Sequence, residues 1–292
     1  MKKSLVLCMI VVSLLLLAGC SSGKSMTLMH IHGLGYSSDG KQILIPAHDG
    51  LVSYENGKWN HGAGEKRDYM GFNAVDTGYY SSGHPAEGSR EKNPLGIVKS
   101  SDDGKTIEML DLYGVEDFHG MAVGYKTHAI YVFNPSLNPK MSSVGLYYSL
   151  DDAKTWTKSN MGGVNGEVLA VAAHPNDPAI VALVTKEGLY LSKDSGNHFE
   201  KAPVTFQVTG ISFDMAGQLM IGGQKELIIE NANPSMPKLD QDDAVQYLVQ
   251  SPTNDKEIVV ATYKKNVFIS NDKGATWTQI VNEGSTITKQ ND

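Results

Sequence analysis

One eight-residue pattern occurs four times in this 292-residue chain. The copies are Ser100-x-Asp102-x-Gly104-x-Thr106-Ile107, Ser149-x-Asp151-x-Ala153-x-Thr155-Trp156, Ser192-x-Asp194-x-Gly196-x-His198-Phe199 and Ser270-x-Asp272-x-Gly274-x-Thr276-Trp277. They begin 49, 43 and 78 residues apart, the last interval being two periods of 39. A unit of roughly 40–50 residues carrying several short strands marks a β-propeller, whose blades ring a common axis. Blade one reads as strands at 30–36, 42–47, 51–54 and 58–60, with Asp-Gly and Asn-Gly turns between them. Inner strands then recur at 71–75, 119–124, 168–173, 210–213 and 245–250, and box-bearing blades end in outer strands at 106–110, 155–158, 198–201 and 276–281. Blade five has lost its box. The expected fold is all-β, a single propeller of six blades with four antiparallel strands each; a seventh blade would need strands the sequence lacks. Residues 26–30 could add an outer strand to the last blade and seal the ring, removing exposed edges.

The ends read differently. Lys2 and Lys3 precede an apolar run from Leu5 to Leu17, too short to span a bilayer, which closes in Leu17-Ala18-Gly19-Cys20. Residues 1–19 read as a lipoprotein signal peptide, residues 20–28 as the lipidated Cys20 and a polar tether, 29–284 as the propeller and 285–292 as a tail. The expectation is a protein held by acyl chains on the extracytoplasmic face of the cell membrane. Cys8 falls in the removed segment, so disulfides and Cys-ligated metals are excluded. The net charge of −7 becomes more negative once Lys2 and Lys3 leave, which disfavours nucleic acid as a partner. A monomer is expected.

The boxes themselves read as structural. Ser and Asp can bond the amides of a tight turn, Gly supplies a positive φ, and the aromatic packs between blades. Asp102, Asp151, Asp194 and Asp272 are therefore turn residues on the face opposite the usual ligand site.

The four copies resemble the Asp-box, or BNR repeat, of propellers that include sialidases, some endoglucanases, the sortilin ectodomain and a photosystem assembly factor. The phrases at 30–36, 68–72, 81–85, 93–96 and 117–121 resemble a family of bacterial lipoproteins that carries a glycosyl-hydrolase label. The resemblance implies a glycan as ligand or substrate. A sialidase clamps its substrate's carboxylate with three arginines, and Lys is a poor replacement. The chain contains only Arg67 and Arg90, so a sialidase mechanism is rejected. Any other glycosidase needs two carboxylates, roughly 5–5.5 Å apart for retention or 6.5–9.5 Å for inversion. Asp49, Asp68, Asp117 and Glu167 stand at strand ends that share one face, and Asp68, Asp117 and Glu167 are the catalytic candidates. Tyr69, Phe72, Tyr80 and Phe118 could stack on a sugar. The competing reading makes these acids turn residues and these rings interblade packing.

Histidines form a second constellation. His32 and His119 head the inner strands of blades one and three, each just before Gly, and Met70 takes the matching place in blade two. His48 and His84 end second strands, and His30 lies two residues from His32. Ring topology gathers these on one face near the channel. Imidazole with thioether suits Cu, and imidazole with carboxylate suits Zn. His32, His48, His84 and His119 are the candidate metal ligands, and Tyr69, Met70 and Phe118 join them as candidate ligand contacts. The alternative is a hydrogen-bonded collar around a wet channel. His128 and His174 read as structural. Long connections at 83–94 and 134–144 rise on the same face, where loops on a rigid scaffold commonly build a site; Met141 could join it or pack beneath its loop. Three functions remain open: a hydrolase-like glycan protein, a metal- or ligand-binding surface protein, and a scaffold for a protein partner.

Overall fold

A computed structural model describes residues 25–288. The signal peptide, Cys20 and most of the tether lie outside the described residues. Six antiparallel sheets follow one another along the chain. Blade one holds β1 (Gly35–Tyr36), β2 (Ile43–Ala47), β3 (Gly50–Glu55) and β4 (Lys58–His61). Blade two holds β5 (Asp68–Val75), β6 (Gly78–His84), β7 (Ile97–Ser100) and β8 (Glu108–Asp111), and blade three β9 (Met121–Val123), β10 (Ile130–Asn134), β11 (Gly145–Ser149) and β12 (Thr157–Lys158). Blade four holds β13 (Val168–Ala173), β14 (Val181–Thr185), β15 (Gly188–Ser192) and β16 (Glu200–Lys201). Blade five has only β17 (Gly210–Phe213), β18 (Leu219–Gly222) and β19 (Leu227–Ile229). Blade six has β20 (Val245–Gln250), β21 (Ile258–Thr262), β22 (Val267–Ser270), β23 (Thr278–Asn282) and β24 (Ser285–Thr286). The six-bladed propeller expected from the repeat is the observed fold, with three strands in blade five and five in blade six instead of a uniform four.

All four boxes make the same turn. The Ser hydroxyl donates to the Asp carboxylate at 2.8–2.9 Å and accepts the amide four residues on, Gly104, Ala153, Gly196 or Gly274, at 2.7–3.0 Å. The Asp carboxylate in turn takes the amide of Thr106, Thr155, His198 or Thr276. That amide is thereby withdrawn from the ladder, so each outer strand starts two residues later than its sequence suggests. Trp156 donates to Asp111 of blade two, and Trp277 to the Ser235 carbonyl after blade five. Pro234 and Pro237 stand in the latter stretch; a proline gives no amide to a ladder, which explains the missing fourth strand.

β1 is also shorter than expected. Pro46 opposite it has no N–H, so pairing stops at Gly35↔Leu44, and beyond it only the His32 amide reaches the Pro46 carbonyl. His32 and His119 thus stand just ahead of their inner strands. The ring closes where Leu28 donates to the Gly284 carbonyl and Thr286 to that of Met26. Thr27 pairs with Ser285, so residues assigned to tether and tail complete blade six. Leu28, Ile31 and Tyr36 then pack with Val259, Ala261 and Val281 in a core shared by the first and last blades. Among the described residues no helix is long and apolar enough to cross a membrane.

Two outcomes are expected. Ser149→Ala strands the buried Ala153 amide and lowers unfolding free energy by about 1–3 kcal/mol, whereas Thr155→Ala, at an exposed position, changes it by less than about 0.5 kcal/mol in denaturant melts. Backbone amides and the facing Thr155 or His198 side chain hold the Asp151 and Asp194 carboxyls at about 2, below the ordinary 3.8. A depressed carboxyl stabilises the fold above its unfolded value and loses that contribution as pH falls. Melting temperature measured from pH 5 down to pH 2 should drop less steeply in the Asp151→Asn/Asp194→Asn variant than in the parent.

Candidate functional site

Strand alternation decides what faces the channel. Along β5, Asp68 and Met70 share one side and Tyr69 takes the other; ahead of β9, Asp117 and His119 likewise flank Phe118. Gly71 carries a φ of +53° where the β5–β6 register shifts between Met70 and Asn73, and a Cβ there would meet the Phe118 carbonyl oxygen at 2.3 Å. Only glycine lets blades two and three approach this closely.

Two carboxylates anchor the mouth. Asp68 takes His48 Nδ1 at 2.8 Å on one oxygen and faces His32 Nε2 at 3.5 Å with the other. The His30 ring stacks on His32 with centroids 5.5 Å apart and meets His48 edge-on at 5.8 Å. Asp117 lies 3.3 Å from both His84 Nε2 and His119 Nδ1, and its second oxygen accepts from Ser82 at 3.2 Å. Asp68 and His84 are cross-strand partners, so blade two lends an acid to blade one and an imidazole to blade three. Burial pushes the His32 imidazole below its ordinary value; Asp68 opposes this, and His30, His119 and His48 reinforce it. His32 Nε2 and Asp68 Oδ1 are buried without a hydrogen-bond partner. His48 and His119 each keep Nε2 free of the carboxylate they bind, and their side chains are 54% and 67% exposed.

The mouth opens into a channel of about 360 Å³ along the ring axis. His32, Met70 and His119 all line it, as the ring topology requires. His30 and His48 adjoin it through His32. Among the described residues, no three His, Cys, Asp or Glu side chains are already arranged to hold a metal ion.

Several expectations are corrected. Tyr69, Tyr80 and Phe118 are at most 1% exposed and pack between blades; alternation turns Tyr69 and Phe118 away from Asp68 and Asp117, and Tyr80 gives its hydroxyl to Asp152, so none offers a face to a sugar. Of the four rings, only Phe72 lines the channel. Glu167 is 75% exposed and lies 3.9 Å from Lys186 in its own blade, whereas Asp68 and Asp117 hold imidazoles of blades one to three. Asp49 pairs with Lys66 beside a separate small cleft. Met141 is fully buried beneath its loop, where Asn138 accepts its amide.

The site also has parts that no spacing announced. Asn93 Oδ1 meets His84 Nδ1 at 2.7 Å, and Ser82 accepts the Phe118 amide. The loop bearing Asn93 is fastened by the buried Arg67, which donates twice to Glu91 at 2.8 and 3.0 Å and also pairs with Glu65. One of only two arginines, in the mixed-charge stretch Glu65-Lys66-Arg67-Asp68, was the available signal; its burial was not readable.

The sequence matches no family model and no curated protein. Its fold resembles solved propellers. A GH74 xyloglucanase from Xanthomonas campestris aligns over 88% of this chain with a TM-score of 0.50 and 14% identity. This chain spans about half of that enzyme, 47% of its length. The protein YCF48, solved bound to D1 peptide, aligns over 88% of this chain and 85% of its own, with a TM-score of 0.50 and 14% identity. Likeness at this identity establishes the fold alone.

Glu91→Gln should destabilise the fold by about 3 kcal/mol, the low end for breaking a buried pair because Glu65 remains. Amide exchange should rise across residues 85–94 and stay unchanged in blade five; equal exchange in the loop before and after the change would refute the clamp.

Proposed function

We propose that this propeller is a lipid-anchored, extracytoplasmic binding protein whose imidazole collar takes a d-block metal ion, Cu or Zn. The observation that carries the reading is the double carboxylate–imidazole arrangement. His48 Nδ1 hydrogen-bonds Asp68 at 2.8 Å and His119 Nδ1 lies 3.3 Å from Asp117, each ring keeping Nε2 free of that carboxylate. A carboxylate on one ring nitrogen fixes the tautomer and raises the basicity of the other, the usual support for a metal-bound imidazole. His30 and His32 supply further imidazoles within ring contact, and the Met70 thioether lines the same mouth. The exposed rings of His48 and His119 have room to turn toward an ion. His84 has both nitrogens engaged and acts as a brace.

Hydrolysis of a glycan fits less well. A glycosidase needs one carboxyl to deliver a proton and a second to attack or to activate water. Asp68 and Asp117 each face two imidazoles, and the rings expected to stack on sugar are buried. The membrane anchor rests on Leu17-Ala18-Gly19-Cys20 and would be checked by acyl-chain mass on the mature N-terminal peptide.

The test is calorimetric titration of metal-stripped, untagged protein with Cu(II) and Zn(II). One equivalent should bind. His119→Ala and Asp68→Asn should each weaken binding about 10–100-fold, the scale of lost ligands and their orienting partners. Substoichiometric uptake of both ions, or unchanged affinity in both variants, overturns the reading.

A further inference from the structure

Large apolar side chains left in solvent are not spread evenly over the propeller. Met29, Val115, Leu137, Val144, Leu169 and Tyr263, between 45% and 73% exposed, all stand by strand direction on the face that carries the imidazole collar. Val115 lies on the connection into β9, Leu137 and Val144 on the one into β11, Leu169 near the start of β13 and Tyr263 just past β21. Among the described residues the opposite face exposes only Leu150 and Ile287 in this way, and Ile228 lies on an outer strand. Ser136 donates to Glu116 at 2.9 Å, which joins the Val115 and Leu137 loops into one surface. Asn134 braces the second loop by donating to the carbonyls of Ser136 and Ser143 at 2.6 and 2.8 Å. A braced loop thus holds apolar groups out to water beside the mouth, and exposure gathered on one face marks an interaction surface.

We propose that this face docks a partner protein, which lays an extended, uncharged segment over the blade-three loops and feeds a few of its residues into the channel. The proposal stands apart from the metal reading. The channel lining has the matching chemistry. Thr209, Ser212, Gln246 and Tyr247 set hydroxyl and amide groups among Ile211 and Leu248, and no Asp, Glu, Lys or Arg lines the wall among the described residues. Each residue of an extended peptide carries an N–H and a C=O that need partners once water is excluded. A charged residue would find no opposite charge on that wall, so an uncharged segment fits it. The volume of about 360 Å³ is at the small end of ligand sites, roughly 300–1,000 Å³. A small molecule filling it would leave Val115, Leu137 and Val144 bare on their loops, whereas a polypeptide covers channel and rim together. The net charge of −7 argues against nucleic acid and against an anionic lipid surface. Residues 26–28 run toward the mouth alongside β24, so the chain before Ser25 leaves toward the opposite face. On the anchored reading the mouth therefore points away from the bilayer, where a partner protein can reach it.

The probe is a displayed library of random linear peptides, selected on the full chain in the presence of a metal chelator so that the outcome is independent of metal binding. Selection should converge on sequences whose shared core is uncharged and mixes apolar with hydroxyl or amide side chains. The best of these, made as a fluorescent peptide, is then titrated by anisotropy. Leu137→Asp and Leu169→Asp should each weaken it about tenfold or more, the scale of one buried apolar side chain, while Leu150→Asp on the opposite face leaves affinity within about twofold. All three positions are exposed, so the variants should melt with the parent. Adding phosphatidylcholine vesicles should leave the peptide bound. Failure of the library to converge, a shared core that carries charge, or an equal loss in Leu150→Asp overturns the proposal. Release of the peptide by vesicles also overturns it, because the face would then be one that docks on a membrane.

Discussion

The structure depends on a closure between residues almost the whole chain apart. Leu28 donates to Gly284 and Thr286 to Met26, and Thr27 pairs with Ser285. Without that seam β24 would be a bare edge, and the core joining Leu28, Ile31 and Tyr36 to Val259 and Ala261 would open. The channel would cease to exist, because its wall is the set of inner strands held at fixed spacing by the seal. The collar exists only within that closed ring.

Within the ring, the blades divide labour through ordinary strand geometry. Alternation sends Asp68, Met70, Asp117 and His119 toward the axis and sends Tyr69 and Phe118 into the seams. The same rings that looked like a sugar platform are what hold blade two to its neighbours. Gly71 and the shifted register beside it bring the Phe118 backbone close enough for Ser82 to serve both Asp117 and the Phe118 amide. Blade two is the hub: its inner strand supplies an acid to blade one, and its second strand supplies a brace to blade three.

Chemistry follows from asymmetry around the axis. Blades one to three bring His32, Met70 and His119 to the channel, with Asp68 and Asp117 behind the imidazoles, whereas blades four to six face it with Thr209, Ser212, Gln246 and Gln250 among apolar side chains. The loop of 85–94, tied down by Arg67, stiffens the imidazole side by fixing Asn93 on His84.

The sequence alone determined what is local. The boxes close within eight residues, through bonds between neighbours, so their number, turn type and period, and from them the six blades, could be read directly. The gathering of His32, Met70 and His119 followed from that period too. Only the tertiary structure decided which acid meets which imidazole, that Glu167 is exposed beside Lys186, that Tyr69, Tyr80 and Phe118 are buried, and that β1 is cut short opposite Pro46. Those outcomes join residues from different blades, such as Asp68 with His48 or Trp277 with Ser235. Their distances are set by ring curvature and interblade packing, quantities that no single stretch of the chain contains.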